Sequence, residues 1–215
     1  KISFRVNPSD MKNHKTSERI INTDNIFSID RLGLGDTFEA GRSITLGVDY
    51  KKQMLKDVNK YFEIKLASVL RDKEQNFIPE KTTINKKTSN IFGSLSTNFS
   101  ENLNLNYRFA VDNNLDEIKY NDVGATFSLN NFVTTFNFIE EKDEMGDQNL
   151  IENNTVYKFD DQNQISFNTR RNRKINLTEF YDLVYEYKND CLIAGIKYKK
   201  TYYEDRDLKP VEDLL

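Results

Sequence analysis

A chain of 215 residues is long enough for one large domain or two small ones. Its formal net charge of −3 is too small to indicate a nucleic-acid partner or an acidic substrate. Hydrophobic residues make up 37% and charged residues 30%, a polar balance, but an aromatic content of 12% excludes a disordered composition. No run of about 18 apolar residues is present, which excludes a transmembrane helix. The single cysteine excludes an internal disulfide.

The segment Leu103–Val111 alternates apolar and polar residues without interruption, as a β-strand with one apolar face does. Tyr107 and Phe109 fall on its apolar side, and Arg108 falls on the other. Only Ser100–Asn102 separates this segment from a similar one before it. The two segments are therefore predicted to pair as an antiparallel hairpin.

The same alternation recurs along the chain and predicts an all-β, antiparallel up-and-down meander of about eleven strands. No capping signal precedes a helical period, so no helix is predicted. The predicted strands lie near residues 2–6, 44–51, 62–70, 90–99, 103–112, 117–129, 131–141, 155–159, 164–171, 179–188 and 191–202.

The connections between these strands alternate in length. Short turns are predicted at 100–102, 130–131, 160–163 and 189–190, with a slightly longer one at 54–59. The connections at the other end are longer, with modest ones at 113–116 and 172–177 and long ones at about 9–41, 72–89, 143–152 and 203–213. This asymmetry, with strands of about 9–12 residues, is typical of transmembrane barrels of the outer membrane. A soluble β-sandwich with one solvated face is the structural alternative.

In a barrel, the polar alternate residues face the lumen. The residues predicted to do so include Arg5, Asp49, Lys51, Glu63, Lys65, Arg108, Asp182, Glu186, Lys197 and Lys199.

Catalytic chemistry has few candidate residues. His14 is the only histidine and lies in a polar loop, which makes histidine-dependent triads and multi-histidine metal sites unavailable. The adjacent carboxylates Glu140–Glu141 and Asp160–Asp161 would point to opposite faces of a strand. The sequence therefore predicts a protein that is not an enzyme and that uses neither a metal nor a cofactor.

Two stretches carry a family pattern. Residues 25–42 read NIFSIDRLGLGDTFEAGR and precede ITLGVDY at 44–50, and LVYEYKNDC at 183–191 precedes AGIKY at 194–198. Together they resemble the LptD family of outer-membrane lipopolysaccharide assembly proteins, over about residues 20–215. The motif positions in the loop are Asn25, Phe27, Arg31, Gly35, Asp36, Glu39 and Gly41.

The resemblance implies that residues 1–215 are a fragment of one C-terminal β-barrel domain, near the ~26-strand end of the known range. A periplasmic N-terminal domain and the last strand would lie outside the fragment, and the long loops would be extracellular. The implied location is the outer membrane of a Gram-negative bacterium.

The function implied by the resemblance is insertion of lipopolysaccharide into the outer leaflet through a lateral gate. The implied partners are an LptE-like lipoprotein plug, a periplasmic lipopolysaccharide-transport bridge reached through the N-terminal domain, and lipopolysaccharide itself, with no nucleic acid. Two alternatives stay open from the residues: a generic porin-like outer-membrane barrel and a soluble carbohydrate-binding β-sandwich.

Two sets of site residues follow from the resemblance. A basic cluster of Arg170, Arg171, Arg173 and Lys174 at a long-loop end is a candidate contact for lipopolysaccharide phosphates, with a solvated loop as the alternative. Cys191 follows a short turn and is expected on the inward face at the periplasmic side, where oxidising conditions favour disulfides. Family members carry one or two cysteines here, so a disulfide to a partner outside the fragment is implied. Leu192 replaces the family's frequent tryptophan, and this departure leaves the disulfide pattern open.

Overall fold

A computed structural model describes residues 1–202 and the backbone of residues 211–214. The predicted all-β meander is confirmed, because the strands form one sheet in which each strand neighbours the next in sequence. The strands are β1 (Ile2–Asn7), β2 (Gly41–Gln53), β3 (Tyr61–Arg71), β4 (Ile91–Ser100), β5 (Leu103–Val111), β6 (Ile118–Leu129), β7 (Phe132–Glu141), β8 (Asn149–Lys158), β9 (Asn163–Asn172), β10 (Leu177–Lys188), β11 (Ile193–Thr201) and β12 (Val211–Leu214). Two short 3-10 turns, Glu80–Thr82 and Asp143–Met145, lie in connections.

Three boundaries differ from the sequence prediction. The connection predicted at 143–152 is shorter, because Asn149–Lys158 forms β8, whose register pairs Glu152 with Arg170 of β9. The start of this strand is too polar to show an alternation of apolar and polar residues. Its backbone nevertheless pairs with that of β9, which makes it part of the sheet. The connection predicted at 203–213 lies outside the described residues from 203 to 210, and its end belongs to β12, which pairs with β11.

The third difference concerns Cys191. The turn predicted at 189–190 extends from residue 189 to residue 192, and β11 begins only at Ile193. The Asn189 side chain accepts hydrogen bonds from the backbone N–H groups of Cys191 and Leu192, at 3.0 and 2.8 Å, and so holds them in the turn. Strand alternation therefore does not set the direction of Cys191, contrary to the prediction that it faces inward.

The described chain divides into two compact units. Unit 1 comprises Lys1–Thr97, Asn106–Asp122 and Glu140–Asp147. Unit 2 comprises Asn98–Leu105, Val123–Ile139 and the described residues from Gln148 onward, which are 148–202 and 211–214. No described helix has the length and apolar character that a membrane crossing requires.

Unit 1 has its apolar strand face outside and its polar face covered. On β2, Leu46 and Val48 are exposed, and Val48 is 67% accessible. The alternate residues Ser43 and Thr45 are buried on the opposite face. This is the reverse of a water-soluble sheet, in which the apolar face packs on a core.

The register of unit 1 places the predicted lumen residues on the covered polar side. Asp49 pairs with Lys65 and Lys51 pairs with Glu63, in the same alternation as buried Thr45. Arg5 of β1 pairs with Ser43 of β2 and shares that side.

The β4–β5 strands show the same division within unit 1. The Phe109 ring lies against Gly93, where an added Cβ would come within 2.1 Å of a ring atom, so a larger residue there would force the ring to move. On the other face of β5, Arg108 Nη2 lies 2.8 Å from Asp122 Oδ2. The predicted separation of Phe109 from Arg108 is therefore present.

Unit 2 repeats the pattern in β8–β11. One face carries aromatic and aliphatic residues, with Phe167 and Tyr181 stacked at 6.2 Å and Leu183 exposed. The other face carries the predicted polar residues, and Lys197 Nζ lies 3.1 Å from Asp182 Oδ2. Glu186 and Lys199 share this face by register.

The β-sandwich alternative is wrong for this chain. A sandwich buries an apolar face between two sheets, whereas the described strands form one sheet whose apolar residues, such as Val48 and Ile196, are exposed.

A substitution on the exposed apolar face can test whether this face contacts lipid or water. If Val48 faces lipid, Val48→Arg should destabilise the folded barrel by about 2–4 kcal/mol near the midplane, falling to about 0–1 near an interface. Val48→Leu, the matched control, should behave as wild type. Folded protein in outer-membrane fractions and urea unfolding in lipid vesicles measure the difference. Equal stability of the two variants would mean that this face contacts water.

Candidate functional site

The connection between β1 and β2 is a packed layer over the polar face of unit 1. Its buried apolar residues form one cluster with those of the β3–β4 connection and with Met145. The loop members are Met11, Ile21, Ile26, Leu32 and Ala40 from the first connection and Ile78 and Ile84 from the second. Thr23 Oγ1 also donates to Ser94 Oγ of β4 at 2.8 Å. Because buried apolar groups and hydrogen bonds fix the long loop, it has an ordered place on the strands.

Arg31 is the centre of this layer, with a side chain that is 0% exposed. Its Nε and Nη2 donate to the two carboxylate oxygens of Glu39 at 2.6 and 2.5 Å, in a bidentate pair. Its remaining donors reach Thr45 Oγ1 at 2.8 Å and Ser43 Oγ at 3.1 Å on β2. One guanidinium thus joins the loop to the polar face of the strand.

Arg71, at the end of β3, completes the cluster. Its Nη2 donates to Glu39 Oε1, its Nη1 donates to the Ala40 carbonyl at 3.0 Å, and its Nε donates to the Ile84 carbonyl. Arg71 therefore ties the β1–β2 and β3–β4 connections to each other through one side chain. We refer to Arg31, Glu39 and Arg71 as the Glu39 cluster.

The electrostatics favour a charged Glu39. Burial alone raises the pKa of its carboxyl, but the hydrogen bonds and charge of Arg31, with the charge of Arg71, outweigh burial and hold that pKa below its ordinary value. The folded state therefore prefers the carboxylate. Its stabilising contribution is complete at neutral pH and is lost as pH falls from the ordinary pKa through the lowered one.

Arg5 of β1 binds the middle of the β1–β2 connection. Its Nη1 donates to the Ile29 carbonyl at 2.6 Å, and its Nη2 donates to the Ser28 carbonyl. A cleft of about 520 Å³ lies beside these contacts and is lined in part by Phe27 and Phe38.

Three other motif residues have structural roles in the loop. Asn25 Nδ2 donates to the Ile20 carbonyl at 3.0 Å and shapes the turn. The Phe27 ring lies where a Cβ on Gly47 would come within 2.7 Å, so β2 needs glycine there. Gly41 begins β2 with a φ of +85°, a conformation that favours glycine.

The structure gives a role to the motif residue Asp36 but none to its neighbour Gly35. Asp36 accepts hydrogen bonds from Lys12 and His14, both at 3.0 Å, and the Lys12 hydrogen bond is the main cause that lowers the pKa of Asp36. His14 is therefore paired with Asp36 and is not simply a solvated loop residue. Nothing in the structure explains glycine at position 35, which faces open space.

The structure separates the predicted basic cluster. Arg170 and Arg171 are neighbours in β9 and so point to opposite faces. Arg170 Nε contacts Glu179, whereas Arg171 contacts Asn176 and Arg173 lies over the Phe138 ring. Lys174 lies in the turn that follows β9. The four residues therefore do not form one surface.

The Glu39 cluster can hold the two connections on the strands, but it contains no group that could react chemically. Arginine stays protonated and Glu39 is already paired on both oxygens. In residues 1–202, no three His, Cys, Asp or Glu side chains are arranged to hold a metal ion. Cys191 is exposed in its turn, with no disulfide within the described chain.

Comparison with known proteins adds to this geometry. Two mutants of the Rh. blastica porin are similar to this chain, each with a TM-score of 0.41 at 12% identity over 85% of this chain and 81% or 82% of the porin. The search of curated proteins gives no match. Residues 2–176 match the family model described as LptD, LPS transport system D, and these residues are well over half of the chain.

The chain belongs to the LptD family. The resemblance found at residues 25–42 and 44–50 is confirmed, whereas the stretches at 183–191 and 194–198 lie outside the matched residues. Membership of LptD means a part in lipopolysaccharide transport and assembly at the outer membrane of a Gram-negative bacterium. LptD is a family of transport and assembly proteins rather than of enzymes.

Sequence reasoning identified Arg31 and Glu39 within the family motif but missed Arg71. Arg71 continues the alternation Lys65, Ala67, Val69 and so falls on the covered face of β3, as the β2–β3 register shows. A charged residue at the loop end of that face is the signal that could have found it. Its partner, 32 positions away, could not be read from periodicity.

Removing the shared carboxylate tests the Glu39 cluster. Glu39→Ala should destabilise the folded protein by about 3–5 kcal/mol, because it leaves two buried guanidinium groups without their anion. Urea unfolding in lipid vesicles and trypsin cleavage of the β1–β2 connection measure the loss.

The matched control is Glu18→Gln in the same connection. Glu18 pairs with Lys81, but its side chain is 78% exposed, so its removal should change stability by at most about 1 kcal/mol. If the two variants unfold alike, the Glu39 cluster does not hold the loop.

Proposed function

We propose that this chain forms part of the wall of an outer-membrane barrel that inserts lipopolysaccharide into the outer leaflet through a lateral gate. The division of faces in unit 1 is the observation that supports this most directly. Val48 is exposed on an apolar face, while Thr45 on the opposite face is buried under a packed polar loop. A barrel wall between lipid and a polar interior needs this division.

We further propose that residues 1–215 are a piece of one C-terminal barrel domain, with a periplasmic N-terminal domain and the last strand outside it. The long connections would face the cell exterior. In support, the first three of them pack together in unit 1, where Lys86 Nζ lies 2.7 Å from Glu144 Oε1. Three connections that pack together lie at the same end of the strands.

The proposed partners follow from the polar faces. An LptE-like lipoprotein plug would occupy the lumen, and lipopolysaccharide would arrive by a periplasmic bridge. The polar face of unit 2 supports a plug, because Asp182, Glu186 and Lys197 present charged groups there. The Glu39 cluster would keep the long loop folded against the wall, so the loop does not compete with the plug or the glycolipid for the interior.

Depletion of the protein from growing cells tests the transport function. Newly made lipopolysaccharide should stop reaching the cell surface, as read by a surface-acting lipid A acyltransferase, and wild-type protein should restore it. Continued delivery with reduced uptake of small solutes would instead indicate a porin-like barrel.

The orientation of the connections can be measured separately. An epitope inserted after Lys73, in the exposed part of the β3–β4 connection, should bind antibody on intact cells. The same epitope after Glu101, in the β4–β5 turn, should bind only after the outer membrane is opened. Equal access to both sites would contradict the proposed orientation.

Cys191 provides a covalent test. We propose that it forms a disulfide with a cysteine outside these residues, because it is exposed in a short turn at the proposed periplasmic end. The full-length protein should then migrate differently on reduced and non-reduced gels, and Cys191→Ser should abolish the difference. Complete reaction of the wild-type thiol with a maleimide, under denaturing and non-reducing conditions, would show that Cys191 is free.

A further inference from the structure

Two guanidinium groups at the loop end of β9 have no carboxylate partner in the part of the chain that the structure describes. Arg171 Nη2 donates to Asn176 Oδ1, and the Arg173 guanidinium lies 5.6 Å from the centre of the Phe138 ring. Both side chains are exposed. Since each guanidinium carries five N–H donors, most donors of this pair face solvent.

Arg170, the residue before Arg171 in β9, differs from this pair because it has carboxylate partners. Its Nε contacts Glu179 and its Nη1 lies 3.7 Å from Glu152 Oε1, so its charge is balanced on the polar face. One strand thus carries a compensated arginine on one face and an uncompensated one, Arg171, on the other. The uncompensated positive charge lies on the apolar side of unit 2, beside Phe138 and Ile151.

The surroundings of the pair are amphipathic. Ile151 is the register partner of Arg171, and together with Arg173 and Asn176 they line a cleft of about 370 Å³. Further along the same face of β9, Phe167 stacks on Tyr181. Thr169 and Asn153 separate this end of the face from Phe167, so the apolar groups next to the positive charge are Ile151 and Phe138.

We propose that Arg171 and Arg173 bind the phosphate of a phosphorylated glycolipid in the outer leaflet, with its acyl chains beside Ile151 and Phe138. Guanidinium forks donate paired hydrogen bonds to phosphate oxygens, and two of them match the double charge of a phosphate monoester. The apolar side chains of Ile151 and Phe138 beside the pair favour a lipid over a free phosphate ion. The site rests on the proposed function, because the loop end of β9 must face the cell exterior.

Binding of lipid A to the purified full-length protein in detergent tests the site. Native mass spectrometry should show that bisphosphorylated lipid A binds at least about tenfold more tightly than its dephosphorylated form, as expected for charge-assisted hydrogen bonds. Raising the salt concentration should weaken the binding of the phosphorylated lipid. Inorganic phosphate should not compete at matched concentration.

Matched variants localise the effect. Arg171→Gln/Arg173→Gln should remove the preference for the phosphorylated lipid, whereas Arg170→Gln, whose charge is already balanced, should retain it. Heat-modifiable mobility checks that each variant is folded. If the double variant does not fold, the single variants Arg171→Gln and Arg173→Gln replace it, and each should weaken the preference for the phosphorylated lipid relative to Arg170→Gln.

Three results would overturn the site: equal binding of both lipid forms to the wild type, competition by inorganic phosphate alone, or an unchanged preference in the double variant. If one of these results is obtained while lipopolysaccharide delivery still depends on the protein, the proposed site is wrong but the proposed function stands. Phosphate-dependent binding in a protein whose depletion leaves delivery unchanged would instead overturn the proposed function.

Discussion

One carboxylate, that of Glu39, is the interaction on which the organisation of unit 1 depends. It is shared by Arg31 and Arg71, and these two arginines hold two connections and the polar ends of β2 and β3 together. Burial of charge is costly, so such a cluster persists only when nearly every donor and acceptor is satisfied. The hydroxyls of Ser43 and Thr45 meet that requirement for Arg31.

The loop held by the Glu39 cluster also explains exceptions to the strand pattern. Ala67, Val69 and Phe92 are apolar yet are buried on the covered face. A lumen surface in contact with water would favour polar residues at these positions. Here the apolar side chains of the β1–β2 connection cover them, so a local hydrophobic core forms on the polar side while the opposite face stays apolar and exposed. A hydrophobic content of only 37% is sufficient, because alternate residues alone need to meet lipid.

Charge on β9 follows the same rule of alternation. Arg170 and Arg171 are neighbours in sequence but belong to different environments, one with carboxylates and one at the edge of an apolar face. In the barrel wall proposed above, Arg170 would face the interior and Arg171 the outer leaflet.

The sequence by itself determined the strand order, the division of apolar and polar faces, and the family, because alternation and the motif at Asn25–Gly41 are local signals. It also identified two of the three residues of the Glu39 cluster, Arg31 and Glu39. Only the tertiary structure decided that Arg71 shares Glu39, that β8 starts at Asn149, and that Cys191 lies in a turn. These features depend on contacts between distant segments and on turn hydrogen bonds, and periodicity along the chain carries no information about either.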